Sequence, residues 1–530
     1  MVCAVILALG VYCAVISAQV RRKTVAPQKN SNSVQQEVGA LLQAGRFAEA
    51  ERAARRAIAA NPRNAEAHAL LGVSLDQQQQ SAAAENAYRE ALRLNPKLVS
   101  ALSNLGVLLA RSQRADEAIA AFEKVLRLTP AHAQANFNLG LLYSTKGDYA
   151  KAIAPLEKAM SSGDPSIGLL LVGAYFRTGR KANALGLAEK IERQGANDPA
   201  VLFNLGLTLA EATEYERALR AFERTNVLSP NTPEVLYNLG IALYNLDRLN
   251  AAAQALNSAA ALTPNGPEIF YRLGLIESAR GHSAEAIDQW LKALTLRHTY
   301  PEANFLIAEE LVKNKRGEQA LEFYERAVQQ DPEKFLYYLR WAATRFRAKQ
   351  YEEARDIFLK AQQKFGDVAE LHYFLGMAAR GAGDYDLAER ELKRSLEMQP
   401  QNYDALAHLG FIAVERDSPE LAEKLLRQVI AAVSNHFPAH YDLGRLFVRV
   451  KRFEAALPLL QRGAELSPND PGVHYQLFIA YSRLKRKDEA DKELKLFRSL
   501  RPESKKGGED AEPDKNATLP ADLPGTPKKP

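Results

Sequence analysis

A 34-residue spacing governs this chain. Small residues recur at Gly72, Gly106, Gly140, Gly206, Gly240, Gly274, Ala308, Ala342, Gly376, Gly410 and Gly444. Neighbouring members are 34 apart, except Gly140 and Gly206, where the gap of 66 means that one segment has lost two residues. Twelve residues further on lies an alanine column: Ala84, Ala118, Ala152, Ala218 and so on to Ala490. Four beyond that are large apolar residues, among them Tyr88, Phe122, Leu156, Phe222, Trp290, Tyr324 and Phe358. A fourth column is proline, at positions such as Pro62, Pro96, Pro130, Pro230, Pro332 and Pro468. Chance does not hold four columns in phase over this length. A fixed period of this size marks an array of small supersecondary units, each burying its apolar face only against its neighbours.

Within one period, segments such as "ALSNLGVLLA" and "AIAAFEKVLRL" place apolar residues at helical spacing. Each unit is therefore expected to be two helices joined by a tight turn. The Gly and Ala columns lack bulk and allow close helix approach, and the large column fills the seam. Gly147, Gly281 and Gly383 suit a turn that needs an unusual backbone conformation. The proline column cannot continue a helix and closes each unit.

The period, the Leu139-Gly140 pair, the Gly147-Asp148-Tyr149 turn, the Ala column and the closing Pro resemble the tetratricopeptide repeat family. Fourteen units start near residues 31, 65, 99, 133, 165, 199, 233, 267, 301, 335, 369, 403, 437 and 471. The resemblance implies an all-α fold, a right-handed superhelical α-solenoid of stacked helix-turn-helix repeats over residues 31–502. Two departures stand out. The last unit carries Phe478 in place of Gly and a more charged second helix, as a polar terminal cap would. Pro155 and Pro458 fall inside second helices, and an irregularity is expected beside Pro155, in the shortened unit.

By the same resemblance, positions 2, 5, 6, 9, 12 and 13 of each unit line a concave groove. Position 6 reads Asn104, Asn138, Asn204 and Asn238, then Arg272, Arg340, His408, Asp442 and Gln476, with Leu170, Leu306 and Phe374 interrupting it. An amide both donates and accepts, so a ladder of Asn can hold the backbone of an extended peptide whatever its sequence. The run resembles the ladder in the repeat domain of O-linked N-acetylglucosamine transferases. Position 5 adds Phe137, Phe203, Tyr237 and Tyr271, which offer large contact areas. These residues form the candidate peptide-binding site. Asn and Tyr are also common at these positions in the family without a ligand, so a packing role stays open beside the binding one. Arg272, Arg340, Arg445, Arg449 and Arg483 make the C-terminal half of the inferred groove more basic, which suits an acidic segment or a chain-terminal carboxylate, with a merely solvated face as the favoured alternative. Position 9 is largely apolar (Val107, Leu141, Leu207, Ile241, Leu275), which disfavours the family's clamp for a chain-terminal carboxylate.

No Walker A run, His-Glu-x-x-His or nucleophile elbow occurs. His68, His372, His440 and His474 all occupy position 4, a packing position, and are not spaced as a metal cluster. No catalytic residue, metal site or cofactor is expected. Net charge is +6 from 69 basic and 63 acidic residues, without the basic clustering of a nucleic-acid binder. The expected partner is a protein or an extended peptide segment, held by a non-catalytic scaffold. A membrane-anchored assembly factor or adaptor is the alternative, and a targeting subunit of an enzyme such as a glycosyltransferase is a more distant one.

Residues 1–18 read either as a signal peptide cut near Ala18 or as a membrane anchor retained over residues 2–20 and followed by Arg21-Arg22-Lys23. The chain would accordingly be exported, periplasmic or secreted, or held at a membrane. Both cysteines, Cys3 and Cys13, lie in this stretch. Residues 19–30 form a linker. Residues 503–530, rich in Pro, Lys, Gly, Asp and Glu, bury too little apolar surface to fold and form a disordered tail.

Overall fold

A computed structural model describes residues 31–500. The expectations for residues 1–18, 19–30 and 503–530 lie outside the described residues. Among the described residues there are twenty-eight α-helices and no strand. No helix among them is long and apolar enough to cross a membrane.

The helices pair in order. First helices begin at Ser31, Ala65, Val99, Ala133, Pro165, Pro199, Pro233, Pro267, Pro301, Phe335, Ala369, Tyr403, Phe437 and Pro471. These are the starts given by the sequence phase. Second helices end two residues before the proline column, as at Ala60, Leu94, Leu128 and Leu228. Six first helices have Pro at their first position, where its missing N–H costs nothing. The chain divides into two compact units, one ending at Thr263 and the other starting at Pro264.

The seam between paired helices follows the columns. A Cβ added at Gly106 would lie 2.8 Å from the Phe122 ring, one at Gly140 would lie 2.6 Å from Leu156, and one at Gly444 would lie 2.5 Å from Leu460. Tyr88, Phe122, Phe222, Trp290 and Tyr324 are among the largest fully buried side chains. The fifth unit reverses the volumes at the same register: Val172 occupies the glycine position and Ala188 the large one, and both are buried. The Ala column is buried throughout, from Ala84 to Ala490.

The turn inside every unit contains one left-handed residue. Gly45, Gly147, Gly179, Gly281 and Gly383 take it in five units; Gln79, Gln113, Thr213, Asp247, Lys315, Lys349, Asp417, Lys451 and Lys485 take it in the other nine. The backbone requirement is thus general, and glycine meets it in only a minority of units.

The irregularity expected near Pro155 is local. The helix Tyr149–Ala159 has 11 residues, a 3-10 turn follows at Met160–Ser162, and Gly163 has a φ of 77°. Pro458 leaves its helix, Phe453–Leu466, at 14 residues. In the last helix, Lys487–Leu500, Ala490 is the sole buried residue among those described, in keeping with a polar terminal cap.

Candidate functional site

Seven of the ten candidate residues belong to the first unit, at positions 5 and 6 of its first helices, with Leu169 and Leu170 interrupting them in the helix Pro165–Arg177. Asn104, Asn138 and Asn238 are half-buried and Asn204 is exposed. Three of the four amides are held by hydrogen bonds on their own helices. Asn204 Nδ2 donates to the Ala200 carbonyl at 2.8 Å, and Asn238 Nδ2 donates to the Glu234 carbonyl at 2.8 Å. Asn138 Oδ1 accepts from Gln134 Nε2 at 3.1 Å. Tying one amide hydrogen to the preceding turn fixes the side chain and leaves the Asn204 and Asn238 oxygens without a protein partner among the described residues.

The aromatic residues beside them are partly used in packing. Phe137, Phe203 and Tyr237 are half-buried. Phe203 meets Phe222 at 5.8 Å between ring centroids. Each therefore presents part of its ring area rather than all of it.

Tyr271, Arg272 and Arg340 lie in the second unit, where the inner face differs. Tyr271 is stacked on Tyr300 at 5.0 Å, and the half-buried Arg272 guanidinium sits 6.0 Å from the Tyr271 ring. Arg340 corrects the expectation of a basic groove. It is 8% exposed, with its Nε 3.7 Å from Glu309 Oε2. Arg445 donates to Glu415 at 2.8 Å, and Arg449 donates to the Val414 carbonyl at 2.9 Å. Burial pushes the Arg445 pKa down, but Asp442 and Glu415 outweigh it and the pKa is raised. Arg340, Arg445 and Arg449 are thus tied up within the fold, whereas Arg272 is half-buried and Arg483 is exposed, so the five do not form one open basic groove. Bulk adds to this. Every residue from Leu371 to Arg380 and from Ala405 to Val414 is buried. Phe374 and His408 are both buried at position 6. The Arg380 and Arg445 guanidiniums lie 4.4 and 5.2 Å from the Phe411 ring centroid. This stretch of inner face is filled by its own side chains.

Position 4 has a role that the packing argument missed. His68 Nε2 bonds the Pro62 carbonyl at 3.1 Å, Asn136 Nδ2 the Pro130 carbonyl at 3.0 Å, and His474 Nε2 the Pro468 carbonyl at 2.9 Å. His440 does the same to Ser434 at 3.0 Å. Each satisfies an orphan carbonyl just past the preceding helix. The sequence signal was available: a polar residue six after the closing proline. His372 bonds carboxylates instead, Glu391 at 2.7 Å and Asp367 at 2.6 Å. Among the described residues, no three or more His, Cys, Asp or Glu gather as a metal site.

Models of the tetratricopeptide repeat match residues 37–99, 98–162, 203–267, 271–335, 305–369, 339–403 and 379–446. No curated protein matches the chain. Solved structures with a similar fold include Naa15/Naa10 bound to HypK-THB, at 15% identity over 88% of this chain and 94% of that one, with a TM-score of 0.35. Others are the APC/C hetero-tetramer Cut9-Hcn1, at 14% identity over 90% and 95% with a TM-score of 0.36, and yeast Tom70, at 16% over 82% and 95% with a TM-score of 0.30. Repeat models recur along both units in the same phase as the helix pairs, and the chain belongs to the tetratricopeptide repeat family.

Proposed function

We propose that this protein is a non-catalytic scaffold that captures an extended segment of a partner protein on the inner face of its first unit. The observation that carries this reading is the state of position 6. In the first unit it offers four asparagines, of which Asn204 and Asn238 have a tied amide hydrogen and an oxygen without a protein partner among the described residues; in the second, Arg340, Phe374, His408, Asp442 and Gln476 are buried there. A row of amides at equal register pairs with the repeating N–H and C=O groups of an extended chain, whose main-chain bonds supply affinity without demanding one sequence. The aromatic residues add contact area beside it. The apolar segment at residues 1–18 leads us to place the scaffold outside the cytoplasm or tethered at a membrane, and sequencing the N-terminus of the mature chain decides between cleavage and anchoring.

The test is affinity capture from the protein's own cells with the full chain as bait. Wild type runs beside a variant with Asn104, Asn138, Asn204 and Asn238 all changed to Ala, and circular dichroism checks that both fold. A partner retained by wild type and lost by the variant supports the reading. A partner retained by both moves recognition off this face.

A further inference from the structure

The inner face of the first unit has a second property, independent of its amides: its charged residues (Glu66, Asp76, Arg111, Arg177, Glu211 and Glu234) all stand at groove positions 2, 12 and 13, and the floor between them, at positions 5, 6 and 9, carries none. Positions 5, 6 and 9 of its seven first helices, from Gln35 to Ile241, hold Asn, Gln, Ser, Gly and apolar residues alone. The same positions of the second unit include Arg272, Glu309, Arg340, Asp442 and Arg445. A quarter of the whole chain is charged, so this exclusion is a feature of these three positions and not of the composition.

The floor also has a low point. In the fifth unit, which follows the shortened one, position 6 is Leu170 in place of Asn, and position 9 is Gly173 where the neighbouring units have Leu141 and Leu207. No atom lies within 4 Å of where a Gly173 Cβ would stand, whereas the seam glycines are tightly overlaid. Leu169, Leu170 and Phe176 are half-buried on the same helix. The nearest charge on that helix face, Arg177, is placed with its guanidinium 6.0 Å from the Tyr149 ring. The result is an apolar notch with amide-bearing units on both sides: Asn104 and Asn138 before it, Asn204 and Asn238 after it.

We infer that the segment captured here is uncharged and carries one large apolar side chain that seats over Gly173. This rests on the peptide-capture reading and specifies its ligand. A charged residue laid along positions 5, 6 and 9 would lose water with no counter-charge beneath it. An aliphatic or aromatic anchor loses only apolar hydration and gains contact with Leu169, Leu170 and Phe176. The amides on either side hold the backbone that leads into and out of the anchor.

The experiment is a display selection of random 12-residue peptides against the full chain, followed by affinity measurements on the enriched peptides. The expected peptides hold Leu, Ile, Phe or Met near the centre of an uncharged stretch. Gly173→Leu fills the notch in open space, so it should fold as wild type and weaken these peptides by about tenfold or more, the worth of one buried apolar side chain. Enrichment of acidic or basic peptides overturns the inference. So do uncharged peptides that bind Gly173→Leu as tightly as wild type. If those peptides are still weakened by Asn138→Ala with Asn204→Ala, the capture reading stands and only the notch fails. If no peptide is enriched, both fail.

Discussion

Gly206 lies flat against Phe222: a Cβ at Gly206 would fall 2.5 Å from the ring. The two residues are sixteen apart, on the paired helices of one unit, and the same relationship recurs along the chain. It explains why the glycine column and the large apolar column keep phase. Neither can change without disturbing the other. Gly206→Val should therefore destabilise the first unit by about 1–3 kcal/mol through overpacking. Gly173→Ala, at a glycine with no neighbour within 4 Å, should instead stabilise it by up to about 1 kcal/mol through helix propensity. Thermal unfolding of both variants checks the pair. Equal shifts in the same direction would contradict the account of the seam.

Thr213 occupies the left-handed turn position with a φ of 61°, which is costly for a β-branched residue. Thr213→Gly should raise the stability of the first unit by about 1 kcal/mol, the usual cost of the left-handed conformation. Gly147→Val, at a φ of 81°, should lower it. Urea unfolding midpoints report both. A Thr213→Gly midpoint at or below wild type would show that the turn does not carry this strain.

Histidines set the acid response of the second unit. His408 is stacked on Tyr373 at 6.0 Å, and burial, with Arg380 and His436 adding, holds its pKa well below the ordinary 6.5. Burial also lowers His440, against the opposing bond to Ser434. Both folded imidazoles bind protons less readily than the unfolded chain does. Their stabilisation is therefore complete above pH 6.5 and is lost as pH falls from there towards their folded pKa values. Asp367 responds later. Hydrogen bonds from Arg394 and His372 hold its carboxyl down at about 2, so its contribution persists until pH drops below its ordinary 3.8. Melting temperature should accordingly fall between about pH 7 and about pH 5, and His408→Leu should flatten that fall. An unchanged slope in His408→Leu would remove this histidine from the explanation.

The repeat phase, the helix starts and the buried columns were legible in the sequence because each is a short-range packing rule repeated fourteen times. Arg340 was not legible. Its position in the unit is a groove position, but whether that position is open depends on what packs around it, and Arg340 is buried with Glu309 beside it. The left-handed turn was legible at Gly147 and hidden at Gln79 or Lys349, because polar residues with φ near 60° leave no compositional mark. The swap of Val172 and Ala188 was missed for a related reason. Volume is conserved across the seam, while the residue types that define the columns are exchanged.

The central claim is that the inner face of the first unit is the working surface. The measurement that tests it most directly is site-specific photo-crosslinking in the protein's own cells, with a photoreactive phenylalanine placed at Leu141 or at Lys124. Leu141 is on the inner face, half-buried beside Asn138, and Lys124 is exposed on a second helix. The account predicts a discrete protein adduct from position 141 that disappears when the four asparagines are changed to Ala, and none from position 124. An adduct from 124 alone, or one from 141 that survives the asparagine changes, would contradict it.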